Sequence, residues 1–190
     1  MNSKKRVLTL STSPRKNGNS DTLAEEFARG AREAGHEVEK ISLSGKEIRF
    51  CQGCLACQKI GRCVIHDDAD AIVQEKMVRA QVLVFATPIY YYEMCGQMKT
   101  MLDRSNPLYS SDYAFRKVYL LATAAEDGDE VWQRAASGRA AAPAGEKKFK
   151  FVFHHTMRSK NASPPATRSG KRLCHLLEYP SGRGHGHAPH

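Results

Sequence analysis

The sequence predicts an α/β fold organised on a parallel sheet. Three observations carry this. Short apolar runs recur at 7–10 (VLTL), 82–86 (VLVFA) and 118–122 (VYLLA), with stretches of helical spacing between them. The last two runs are continuous rather than alternating, as in strands covered on both faces. Strands that alternate with helices argue for βαβ units, whose crossovers leave neighbouring strands parallel.

The elements follow in order. Residues 5–10 form the first strand, and a loop of Ser, Thr, Pro, Arg, Lys, Asn and Gly follows. Leu23, Ala24, Phe27 and Ala28 place an amphipathic helix over 19–34, closed by Gly35 as its C′ residue. Residues 38–43 (VEKISL) alternate as a strand. The connection SGKEIRF leads to a cysteine segment at 51–63. Ile72, Val73, Met77 and Val78 predict a helix over 67–79, with Asp67 and Asp68 favouring its N-terminus. The strand at 82–86 runs into a loop at 87–96 (TPIYYYEMCG), then a helix at 97–104 carrying Met98, Met101 and Leu102 on one side. After the strand at 118–122, the loop TAAEDGD reaches a helix start at Glu130, Val131 and Trp132, with Asp127 and Asp129 as its caps.

Beyond Gly138 the periodicity fails, although KFKFVF at 148–153 suits a fifth strand. Past His155, Pro164, Pro165, Ser, Gly, Arg and His dominate. Residues 1–155 therefore read as one domain, least regular over 136–155, and 156–190 as a basic, disordered or diverged tail. Charge follows the same division. Residues 1–138 hold 19 Lys and Arg against 18 Asp and Glu, while 139–190 hold 10 against 2. A nearly neutral body with a basic tail and no recognition motif argues against nucleic acid as partner. The start MNSKKRVLTL has no long apolar run, and no stretch reaches membrane-spanning length. The expectation is a cytoplasmic protein without a membrane partner. Its six cysteines then read as metal ligands, redox groups or buried thiols rather than structural disulfides.

The stretch VLTLSTSPRKNGNSDT at 7–22 draws the chemistry together. A strand stops at Ser11, and the loop behind it offers the hydroxyls of Ser11, Thr12, Ser13, Ser20 and Thr22 and the guanidinium of Arg15. The helix that follows adds backbone N–H groups and the positive end of its dipole. Gly18 lets the backbone approach an anion closely. The spacing is neither a Walker A loop nor the dinucleotide G-x-G-x-x-G. It suits the single terminal phosphate of a mononucleotide such as FMN. An ordinary capped strand-to-helix turn is the plainer reading of the same residues.

Four segments in register resemble the NADPH-dependent FMN reductase family of the flavodoxin-like superfamily, in particular its iron–sulfur flavoprotein branch. They are SPRKNGNSDTL (13–23), CQGCLACQKIGRCVIHDDA (51–69), ATPIYYYEMCGQMKTMLDR (86–104) and YLLATAAEDGD (119–129). The resemblance implies a flavodoxin-like, doubly wound parallel sheet of about five strands in three α/β/α layers. It implies FMN at the carboxyl ends of the strands, NAD(P)H as co-substrate, and a homodimer or homotetramer. Carried over residue by residue, Ser11, Ser13, Arg15, Asn19 and Ser20 would hold the phosphate. Pro88, Ile89, Tyr90, Tyr91 and Tyr92 would line the ribityl chain and flavin ring, and Thr123, Ala124, Ala125 and Glu126 would form a third wall. The tyrosines also suit plain packing roles. The flavin carries the chemistry, so no catalytic side chain is expected. The implied activity passes electrons to a flavin, quinone or other small acceptor. An electron carrier serving protein partners is the alternative, and Arg15 favours the reductase because carriers usually bind the phosphate with hydroxyls and amides alone. The family's regular helix, strand and closing helix have no match after Gly138, as in a diverged, frameshifted or truncated end.

Cys51, Cys54, Cys57 and Cys63 form one compact run. Four such thiolates can wrap a 4Fe-4S cluster, as ferredoxin runs do. Zinc is a second occupant, and four free thiols are a third reading. Cys95 and Cys174 read as bystanders.

Overall fold

The computed structural model describes residues 4–124 and the backbone of a short strand at 153–155. Five strands pair in parallel: β1 (Arg6–Ser11), β2 (Glu37–Ser42), β3 (Val82–Tyr90), β5 (Lys117–Thr123) and β6 (Phe153–His155). Their order is β2-β1-β3-β5-β6, and β4 (Glu93–Met94) folds back antiparallel on the end of β3. The fifth parallel strand begins where the predicted 148–153 run ends, with Phe153 opposite Leu120. Residues 148–152, the helix start at Glu130 to Trp132, Asp127, Asp129, Cys174 and the tail over 156–190 lie outside the described residues.

Side-chain alternation along the strands makes the layers. Leu8 and Leu10 join Leu83, Phe85, Val118, Met77, Met98 and Met101 in one core. Val7 joins Val82, Val84, Ala86 and Leu121 with Leu23 and Ala24 in the other. Helix α1 (Asn19–Glu33) therefore covers one face of the sheet. A short α2 (Ala56–Ile60) sits in the cysteine segment, and the opposite face is covered by α3 (Asp68–Ala71), a π-helix (Ile72–Met77) and α4 (Gly96–Arg104). Fully burying each large aliphatic side chain contributes about 1.5–3 kcal/mol, so β1 and β3, buried over most of their length, anchor the sheet.

Three elements differ from the sequence reading. The helix expected over 67–79 winds as α only to Ala71 and then widens, the Val78 N–H reaching the Val73 carbonyl at 3.1 Å. The loop expected over 87–96 is a hairpin, because β3 runs on to Tyr90 and Ile89 pairs with Met94. A 3-10 helix (Asn106–Ser110) follows α4, started by Pro107. Gly35 closes α1 at φ 84, as its placement in the sequence requires. Among the described residues no helix is long and apolar enough to cross a membrane.

The strand order fixes where a ligand can sit. From β1 the chain passes to β2 on one side, and β3 lies on the other. The loops leaving the carboxyl ends of β1 and β3 diverge at that switch point and open a crevice.

Candidate functional site

The first wall is the loop between β1 and α1. Gly18 occupies the N-cap of α1, and no side chain caps it. The first N–H groups of this helix thus lack a side-chain acceptor. The loop is tight around Gly18: a β-carbon there would fall 2.6 Å from the Ser13 Oγ and 3.2 Å from the Arg15 carbonyl oxygen. That close approach needs glycine, and Asn17 takes the left-handed turn before it at φ 56. Buried Ser13 donates to the Arg15 carbonyl at 2.8 Å, which also accepts from the Gly18 N–H at 3.1 Å. Arg15 and Asn19 are exposed at the rim.

All three of the expected phosphate hydroxyls have protein partners, Ser13 on the Arg15 carbonyl as above. Buried Ser11 donates to Asp21 Oδ1 at 2.9 Å. Buried Ser20 shares a 2.7 Å hydrogen bond with Thr123 Oγ1. Asp21 stands in the first turn of α1, where its charge suits the helix dipole. Lys40 on β2 pairs with it at 2.9 Å and with Glu25 at 3.1 Å. Burial alone would push the Asp21 pKa up; the hydrogen bonds from Lys40 and Ser11 outweigh it and hold the carboxyl below its ordinary value.

The second wall is the β3–β4 hairpin. Pro88 is buried and its carbonyl accepts from the Cys95 N–H at 3.2 Å. Ile89 is half-buried, and Tyr90 and Tyr92 are about half exposed, at 46% and 49%. Tyr91 stands free at the tip, 97% exposed, its ring edge-on to Tyr92 at 6.1 Å. Tyr91 and Tyr92 both have positive φ, 48 and 63. That is the backbone of a two-residue turn usually built from Asn-Gly, here made by two bulky residues. Backbone strain of this kind clusters where ligands are held.

Thr123, buried at the end of β5, and half-buried Ala124 begin the third wall; Ala125 and Glu126 lie outside the described residues. β5 and β3 bring Thr123 opposite Pro88. The structure thus gathers Ser11, Ser13, Ser20, Pro88 and Thr123 at the carboxyl ends of three neighbouring strands.

The cysteine segment forms a separate loop. Cys51 and Cys54 are exposed, Cys63 half-buried and Cys57 buried. Cys51 Sγ accepts from Gly53 N–H at 3.4 Å, Cys63 Sγ from Ile65 N–H at 3.5 Å, and Cys57 Sγ from Asn106 Nδ2 at 3.2 Å. Such donors suit thiolates. The positions do not yet suit a metal: among the described residues no three of His, Cys, Asp and Glu converge on one point. The stems of this loop are clamped from α4. The fully buried Arg104 guanidinium meets Asp67 at 2.6 and 2.9 Å and donates to the carbonyls of Arg49 and Ile65, each at 2.8 Å.

Sequence reading gave no role to Asp21, Lys40, Thr87, Cys95 or Arg104. A first-turn acid facing a lysine on an alternating strand is a signal that could have found the Asp21–Lys40 pair. Cys95, read as a bystander, is tied into the fold. Its thiol, 1% exposed, donates to Thr12 Oγ1 at 3.1 Å, and its N–H reaches Thr87 Oγ1 at 3.3 Å.

Residues 5–136 match a family model described as NADPH-dependent FMN reductase. Among curated proteins, an iron-sulfur flavoprotein of Methanocaldococcus jannaschii is 40% identical over 103 residues, 54% of this chain and 53% of its own. An iron-sulfur flavoprotein of Methanosarcina thermophila is 33% identical over 111 residues, 58% of each chain. The chain spans about half the length of the curated relatives it matches. Among solved structures, an NAD(P)H:quinone oxidoreductase from Methanothermobacter marburgensis aligns with TM-score 0.63 at 19% identity, over 80% of this chain and 84% of that one. An azoreductase from Bacillus anthracis aligns with TM-score 0.58 at 15% identity, over 80% and 86%. At these identities the structural likeness establishes the flavodoxin-like fold alone.

Proposed function

We propose that this chain, which belongs to the NADPH-dependent FMN reductase family, is an FMN-dependent oxidoreductase that draws hydride from NAD(P)H and passes electrons to a small acceptor such as a flavin or quinone. The observation that carries this reading is the N-terminus of α1. A helix of 15 residues, without a side-chain cap, opens at the switch point of the sheet beside Ser13, Arg15 and Asn19. A phosphate dianion there meets N–H donors, a positive dipole end and a guanidinium. Gly18 lets the loop close tightly on Ser13 and Arg15 at the mouth of the helix, where a β-carbon would clash.

On this reading Arg15, Asn19 and the backbone N–H groups hold the phosphate, while Ser11, Ser13 and Ser20 hold the protein around it. Lys40 offsets the Asp21 charge that would otherwise repel the dianion. Buried Pro88 and Thr123 wall the crevice, and Tyr90 and Tyr92 offer half-exposed aromatic surface for a flat ring. Bound FMN supplies the hydride and electron chemistry, and the chain supplies position and electrostatics. Anaerobic stopped-flow mixing of FMN-loaded protein with NADPH tests the activity. Rapid bleaching of the flavin is expected; flavin absorbance that NADPH leaves unchanged would contradict a reductase and favour an electron carrier.

The named relatives bring an iron–sulfur cluster into consideration. As placed, the four cysteine sulfurs do not fit a cubane, so no electron step is assigned to them. Where the loop closes on a metal, we propose a 4Fe-4S cluster over zinc, because the ligands lie in one compact run instead of two separated pairs. Iron and sulfide analysis after anaerobic purification tests this. About four of each per chain is the cluster outcome, and zinc without sulfide would contradict it.

A further inference from the structure

Three segments that border the crevice are tied beneath it by buried hydroxyls and one thiol. Ser20, on the first turn of α1, and Thr123, at the end of β5, are 2% and 6% exposed and share a 2.7 Å hydrogen bond across 103 residues of sequence. Thr12, at the start of the phosphate loop, donates to the Ala86 carbonyl at 3.0 Å and accepts from the Cys95 thiol at 3.1 Å. Thr87, at the root of the hairpin, donates to the Pro88 carbonyl at 3.0 Å, lies 3.4 Å from Cys95 Sγ and accepts from the Cys95 N–H at 3.3 Å. Thr12, Thr87 and Cys95 are each at most 1% exposed. Packed strand ends need none of these bonds for their backbone pairing. The Ser20–Thr123, Thr12–Ala86 and Cys95–Thr12 bonds instead join segments far apart in sequence, and the Thr87–Cys95 contacts close the hairpin on itself.

We infer that Ser20 and Thr123 are a positioning pair, and that Ser20 is not a phosphate ligand. Their bond fixes the N-terminus of α1, which grips the phosphate, against the end of β5, which walls the ring. Thr12 and Cys95 do the same between the phosphate loop and the hairpin. The inference rests on the FMN reading, since only a ligand spanning both walls gains from their fixed separation. FMN spans them; riboflavin, which has no phosphate, is gripped at the ring end alone. The pair therefore sets the preference for FMN over riboflavin, a quantity that a purely structural bond would leave unmoved.

A double-mutant cycle on the pair tests this. Ser20→Ala, Thr123→Val and the double variant are titrated with FMN and with riboflavin by flavin fluorescence, with Thr123→Ser as the conservative control. Each single variant should lower the FMN-over-riboflavin preference by about three- to tenfold, the range for one hydrogen bond. The double variant should be no worse than either single, and Thr123→Ser should keep the parental preference. A loss in Ser20→Ala with none in Thr123→Val would make Ser20 a direct phosphate ligand and overturn the proposal. Equal weakening of both flavins in Thr123→Val would make Thr123 a ring contact, with the same consequence. A parental protein that binds neither flavin would overturn the FMN reading itself, and the pair's role with it.

Discussion

Arg104 heads the fully buried side chains by size, and its charge is matched by Asp67, 37 residues away in sequence. Removing one partner of a buried pair strands the other, at a cost of about 3–5 kcal/mol. Asp67→Asn should therefore lower the free energy of unfolding in urea by that amount; a loss under about 1 kcal/mol would mean that the clamp is relieved by solvent. The pair also sets an acid limit. Burial pushes the Asp67 carboxyl up, but Arg104 and the N–H groups of Arg49 and Asp70 outweigh it and hold the pKa below the ordinary value. Asp21 and Asp70 are lowered in the same direction, burial again being outweighed, by Lys40 and Ser11 in one and by Arg62 and His66 in the other. A carboxyl lowered on folding stabilises fully above its unfolded pKa, about 3.9 for aspartate. Stability should thus be level through neutral pH, fall as pH drops past that value, and be lost through the lower folded values. Asp67→Asn should flatten the fall. At the site, Arg15→Ala should weaken FMN binding by about 1.5–3 kcal/mol, the scale for a hydrogen bond to a charged group. Unchanged affinity in a fluorescence titration would place the phosphate elsewhere.

Among the elements, the hairpin tip departs furthest from local preference. Tyr91 and Tyr92 both sit at positive φ, and each such non-glycine residue costs on the order of 1–3 kcal/mol. Neither is buried. Tyr91→Asn with Tyr92→Gly should therefore raise the unfolding free energy by at least about 1 kcal/mol. A thermal midpoint that stays level or drops would show that the two rings contribute more than the strain removes. This hairpin was illegible in TPIYYYEMCG because nothing in Tyr-Tyr announces a left-handed turn. The strands around it were legible for the opposite reason. VLVFA and VYLLA are apolar without alternation, and sheet burial on both faces requires that pattern. The turn between β1 and α1 was legible in composition, since Ser13, Gly18 and the α1 N-terminus lie together. The engagements of Ser11 with Asp21 and of Ser20 with Thr123 were not, because the hydroxyl of Ser20 finds its partner only after β5 has docked against β3. The π-helix likewise shares its apolar spacing with an ordinary helix.

At the scale of the molecule, the order of strands places the candidate site. The reversal between β1 and β3 makes a crevice, α1 opens its uncapped N-terminus there, and Lys40 pairs with the Asp21 carboxylate in its first turn. Such a crevice should distinguish flavins by their phosphate above all. The most direct measurement is a fluorescence titration of the intact chain with FMN and with riboflavin under identical conditions. FMN should bind at least about tenfold more tightly, a difference of about 1.4 kcal/mol that a charged hydrogen bond alone can supply. Equal affinity for the two flavins would contradict the assignment of the β1–α1 loop as the phosphate site.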